Sequence, residues 1–150
     1  MPRIEQEIMQ RQFRNERHKA IVNIVYTGHW LTARHSKFLK QFHLTEQQFN
    51  ILRILQGQYP KPASITLLRE RMLDKMSDVS RLVERLRKLD FVERRTSRLD
   101  RRAVEVSITE KGLEVLSAIE QHVTEVDAMT HNLSMEELEH LNFLLDKLRG

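Results

Sequence analysis

The chain has 150 residues, no cysteine and a formal net charge of +4 at pH 7. That length fits one domain with a core able to stand without staples, and the lack of cysteine excludes disulfides, thiolate zinc sites and thiol redox chemistry. No apolar run approaches the roughly 18 residues of a membrane span, and Met1–Glu7 is charged with no apolar signal core, so a cytoplasmic protein is expected.

In chain order, residues 3–27 predict one extended N-terminal helix, with Ile4, Ile8, Ile21, Ile24 and Val25 as its apolar positions. Gly28 is expected to end it, and a second helix follows over about Trp30–Phe42. Thr45-Glu46-Gln47-Gln48 is a capping box opening a helix that carries Phe49, Leu52 and Leu55 and stops near Gly57. Gln58–Ala63, with Pro60 and Pro62, reads as a stiff loop. Ser64 or Thr66 caps a short helix bearing Leu68 and Met72, and a turn at Leu73–Met76 leads into a helix over Ser77–Leu89.

In that helix Val79, Leu82, Val83, Leu86 and Leu89 repeat at helical spacing and predict a core-facing stripe. The opposite face shows Ser77, Asp78, Ser80, Arg81, Glu84, Arg85 and Lys88. Two β-prone segments, Phe91–Thr96 and Ala103–Ile108, flank the charged stretch Arg98-Leu99-Asp100-Arg101-Arg102 and predict a hairpin with an arginine tip. A long helix is expected from Thr109 to about His131. Ser134-Met135-Glu136-Glu137 is a second capping box, opening a last helix with Leu138, Leu141, Leu144, Leu145 and Leu148.

The order of these elements carries the functional signal. A short helix, a tight turn and a helix with an apolar back and a small-polar-plus-arginine front form a helix-turn-helix, and a basic hairpin tip reaches phosphates or the narrow minor groove. Ser77, Asp78 and Ser80 keep the start of the second helix narrow enough for the major groove. Arg81 can reach a guanine edge, while Arg85 and Lys88 are placed for phosphates. Asp78 either accepts from a cytosine amino group or pairs with Lys75 or Arg81. Between Pro60 and Glu105 there are 13 basic against 8 acidic residues, and the rest of the chain has 12 against 13, so the positive excess sits on this segment.

Other chemistries lack support. The histidines, among them His29, His35, His43, His122, His131 and His140, form no clean i, i+4 ligand pair, so no metal is expected. No nucleophile elbow or glycine-rich phosphate loop is present, so neither an enzyme nor a cofactor is expected.

Ser64–Gly112 resembles the winged helix-turn-helix of the MarR transcriptional regulators. Ser80-Arg81-Leu82-Val83-Glu84-Arg85-Leu86 is similar to that family's recognition-helix core. Asp100-Arg101-Arg102 and Ile108-Thr109-Glu110-Lys111-Gly112 are similar to its wing and wing exit. Three positions depart from the pattern: Asp90 where glycine usually ends the recognition helix, Leu99 where the wing usually has arginine or a polar residue, and Asp78 on the groove side.

The resemblance implies a mostly α (α+β) chain: a winged helix-turn-helix lobe over residues 45–112, with residues 1–42 and 113–150 forming a helical dimerisation region. It implies a homodimeric, sequence-specific regulator, a repressor of the bacterial type, on a pseudo-palindromic operator of double-stranded DNA. Arg101 would enter the minor groove and Asp100 would orient a neighbouring arginine. Arg98 joins the DNA-facing set, although alternation along a hairpin turns Arg98 and Arg102 to opposite sides. A small aromatic effector would bind between lobe and dimer helices, with Trp30, His35, Phe38 and Phe42, and also Phe13 and Tyr26, as lining candidates. The alternative class is a winged-helix protein–protein interaction module that does not bind DNA.

Overall fold

The computed structural model describes residues 1–150. The elements run α1 (Ile4–Glu7), α2 (Glu16–Leu39), α3 (Glu46–Gln58), β1 (Ala63–Ser64), α4 (Ile65–Arg71), α5 (Val79–Lys88), β2 (Val92–Thr96), β3 (Val104–Ile108), α6 (Glu110–Glu120), α7 (Val123–Asp127) and α8 (Met135–Arg149). The strands form one antiparallel sheet in the order β1-β3-β2, registered by Ala63 opposite Val106, Val92 opposite Ile108 and Thr96 opposite Val104.

Helix starts follow the capping chemistry. Thr45 and Ser134 each sit in a reciprocal capping box, with Gln48 and Glu137. Ser64, not Thr66, caps α4 by accepting from the Leu67 N–H. A core of 18 buried residues joins the C-terminal end of α2, α3, α4, α5, the sheet and α6, with Leu39, Ile51, Leu52, Leu68, Leu86 and Val106 wholly buried. Hydrophobic burial of this set, each large side chain contributing about 1.5–3 kcal/mol, holds the lobe together.

The long helices differ from the sequence reading. The expected helix over residues 3–27 is broken: α1 ends at Glu7, and Asn15 restarts the chain as the N-cap of α2 by accepting from the His18 N–H at 2.9 Å. Lys19 pairs with Glu5 at 2.6 Å, and the Tyr26 hydroxyl donates to Glu7 at 2.6 Å, folding α1 back on α2. Gly28 does not end a helix. It lies inside α2 with nothing near its Cβ position, and a solvent-side glycine costs a helix only about 1 kcal/mol.

The expected helix over residues 109–131 is likewise broken, at Gln121–His122. The His122 ring Nδ1 takes the Ala118 carbonyl at 3.0 Å, and the His122 N–H moves to Ile119 instead. That exchange ends the α-helical ladder. α5 begins two residues later than expected, at Val79, and Leu89 lies outside it and is exposed rather than core-facing. Strand β1 was not visible in the sequence, because two residues form a strand only through a partner such as β3.

Candidate nucleic-acid interface

The interface is built on α5 and the β2–β3 wing. Asp78 is the N-cap of α5, its carboxylate accepting from the Arg81 N–H at 3.1 Å. The same carboxylate stands 3.8 Å from the Arg81 Nε. Asp78 therefore pairs with Arg81, and Lys75 turns away to the Glu70 carbonyl. Both side chains of the Asp78–Arg81 pair are exposed, so it is weak and easily exchanged for another partner of Arg81.

Further along α5, Glu84 and Arg87 form a two-pronged contact at 2.9 and 3.0 Å. The Arg87 guanidinium holds the Glu84 carboxyl below its ordinary value. Arg85 and Lys88, in contrast, are exposed and form no ion pair, so their charges are available to phosphate. Ser80 is exposed beside Arg81. Ser77 is different: its hydroxyl is shielded from solvent and has no partner in the chain, so it is not presented to a base edge.

The two loops of the interface share one device, a side-chain oxygen that accepts from the backbone two residues on. In the helix-turn-helix turn Asp74 accepts from Met76 at 2.9 Å. In the wing Ser97 accepts from Leu99 at 3.2 Å and Asp100 from Arg102 at 2.9 Å. Ala103 donates to the Asp100 carbonyl at 3.0 Å, closing a turn whose two central residues are Arg101 and Arg102. Asp100 therefore acts on the backbone of the turn and forms no ion pair with a neighbouring arginine. Arg98, Arg101 and Arg102 are exposed and unpaired, and Leu99 between them is 98% exposed.

Sequence reasoning missed Asn50, whose side chain accepts from the Leu73 N–H at 2.9 Å and ties α3 to the start of the turn. The three short-range oxygen contacts were missed too, Asp100 having been expected to orient a neighbouring arginine and not to brace the turn. Asn50 was not legible because its partner lies 23 residues away.

The chain is similar to known regulators over most of its length. A model of the MarR family matches residues 43–103. The HTH-type transcriptional regulator MgrA of Staphylococcus aureus is 31% identical over 113 residues, 75% of each chain. The chain belongs to the MarR family. It is thus a winged-helix, DNA-binding transcription regulator and not an enzyme. The MarR fold extends to structures of lower identity. A mutant of Escherichia coli MarR complexed with operator DNA superposes with a TM-score of 0.80 at 22% identity, over 92% of this chain and 99% of that one. BpsR of Bordetella bronchiseptica, whose DNA binding is regulated by 6-hydroxynicotinic acid, gives 0.70 at 20% identity, over 85% of this chain and 99% of that one.

The aromatic candidates for an effector site fall in separate places. His35, Phe38 and Phe42 come together with two residues the sequence reading did not include, Phe49 and His122, at ring separations of 5.5–6.2 Å. His35 also lies 3.3 Å from Glu46 at the start of α3. Trp30 stands apart under the Arg34 guanidinium at 4.3 Å. Phe13 packs edge-on against His18, and Tyr26 is engaged with Glu7. Next to the cluster, a cleft of about 720 Å³ opens between α2 and α7, lined by Arg34, Lys37, Phe38, Gln41, Glu125 and Met129.

Proposed function

We propose that this MarR-family chain is a homodimeric repressor that reads a pseudo-palindromic operator and is released by a small aromatic effector. The observation that carries the reading is the combination of free charges on α5 and the wing: Arg85, Lys88, Arg98 and Arg101 are exposed on rigidly capped elements and have no acidic partner. Neutralising phosphates with these groups releases counterions and makes affinity fall steeply with salt. Ser80 and Arg81 supply base discrimination at the N-terminal end of α5, Arg81 exchanging the weak Asp78 contact for a base edge.

Dimerisation is supported by the ends of the chain. α8 has no buried residue, yet Leu141, Phe143, Leu144 and Leu148 are exposed along it, and Ile21, Ile24 and Val25 are exposed on α2. An apolar surface of that extent is characteristic of an interface. The twofold partner is a second copy of the chain, which sets two recognition helices about one helical turn of DNA apart. The cleft beside Phe38 suits an aromatic acid, with Arg34 and Lys37 for the carboxylate and Phe38 and Met129 for the ring. A ligand there lies against α2 and α7 and would release DNA by changing the spacing of the recognition helices.

DNase I footprinting on the DNA upstream of the chain's own coding sequence tests this reading. Two protected half-sites about one turn apart, lost on adding aromatic carboxylic acids, are expected. Uniform cutting at all protein concentrations would refute the DNA reading and favour the interaction module.

A further inference from the structure

The wing tip carries a feature that phosphate binding does not use. Leu99 is 98% exposed and stands among Arg98, Arg101 and Arg102, none of which has an ion-pair partner. A lone exposed leucine is ordinarily unremarkable. This one is held on both sides. Ser97, itself only 7% exposed, accepts from the Leu99 N–H, and Asp100, the next residue, fixes the turn that follows. The tip thus presents a large apolar side chain on a braced backbone, with exposed arginines next to it in the chain. An apolar group cannot bond to phosphate, and in water it gains nothing from its position.

We infer that Leu99 is a minor-groove wedge, a specificity-determining residue that enters between two base pairs after the neighbouring arginines have drawn the wing to the backbone. The inference rests on the DNA-binding reading above. Arginine prefers the deep negative potential of a narrow minor groove, whereas an apolar wedge needs a step that unstacks. Pyrimidine–purine steps (TA, CA/TG) unstack most easily, so the wing reads deformability at positions that no hydrogen bond contacts. Burying the leucine side chain between base faces offsets part of the unstacking cost. The operator then has two determinants: a base pattern under α5, and a flexible step under each wing.

Selection from short duplexes with a fully randomised core, run in parallel with the intact chain, Leu99→Ala, Leu99→Met and Leu99→Gln, tests this. Position 99 touches no core residue, so each variant folds. The intact chain and Leu99→Met are expected to enrich a pyrimidine–purine step at a fixed distance outside each α5 half-site. Leu99→Ala and Leu99→Gln keep the half-sites and lose that step. On the selected duplex Leu99→Ala binds about tenfold more weakly, and 2-aminopurine placed at the step brightens only with the intact chain and Leu99→Met. Half-sites with the same flanking preference in all four proteins would overturn the wedge and leave DNA binding intact. No enrichment by the intact chain would overturn the DNA reading itself, and the wedge with it.

Discussion

The Thr109 hydroxyl donates to the Asp90 carbonyl at 2.6 Å, across 19 residues of chain, and accepts from the Gly112 N–H at 3.1 Å. The end of the recognition helix is thereby fastened to the exit of the wing. Lys111 adds a bond to the Leu89 carbonyl at 3.1 Å, a cation at the C-terminal end of α5 where the helix dipole favours it. α5 and the wing exit are therefore joined directly by side-chain bonds.

Gly112 is the tightest point of this junction. A Cβ there would lie 2.4 Å from the Phe91 carbonyl oxygen and 2.7 Å from Ile108 Cγ1. Gly112→Ala is expected to cost about 2–3 kcal/mol. Urea unfolding checks it: the midpoint falls and the slope is unchanged.

Asp90 occupies the left-handed region, at φ 60, where a side chain is strained. Asp90→Gly is expected to stabilise the fold by up to about 1 kcal/mol and to leave DNA affinity unaltered. A lower melting temperature for Asp90→Gly would contradict that account of the turn.

Arg81 and Arg101 separate base reading from backbone binding. Arg81→Ala should cost about 1–3 kcal/mol at one base position and relax specificity there. Arg101→Ala should weaken binding to all sequences and reduce the salt slope by about 1. Equal losses on every sequence from Arg81→Ala would reassign it to phosphate.

Placing charge on α8 tests the dimer. The double variant Leu141→Asp, Leu148→Asp should weaken self-association by about 3 kcal/mol or more, read by sedimentation equilibrium. The lobe remains folded, because no α8 residue belongs to its buried core.

The Glu84–Arg87 contact has a pH signature. Arg87 holds the Glu84 carboxyl below its ordinary value of 4.5. The contact therefore stabilises the fold above that value and is lost as pH falls through the lower, folded-state value. Carboxyl NMR titration should show Glu84 returning to its ordinary range in Arg87→Gln.

Much of the lobe was legible in the sequence because its determinants are local. Thr45 announces its helix through a capping box, as Ser134 does for α8 outside the lobe, and the hairpin shows in strand propensity on either side of a polar tip. The failures have different physical causes. The N-terminal helix breaks where Lys19 and Tyr26 hold α1 back against α2, contacts beyond the local window. Gly28 stays helical because neither packing nor a capping residue interrupts α2 there. His122 breaks its helix because its ring displaces its own backbone donor from Ala118. At the interface, Arg81, Arg85 and Lys88 could be placed from helical periodicity. The shielding of the Ser77 hydroxyl and the capping role of Asp78 depend on α5 starting at Val79.

Fluorescence anisotropy of the chain's own upstream DNA against random duplex, across a salt series, tests the central claim most directly. Tight binding to the upstream fragment is predicted, steeply weakened by salt and far stronger than to random duplex. No binding to either duplex at low salt, by a chain that sediments as a dimer, would contradict it.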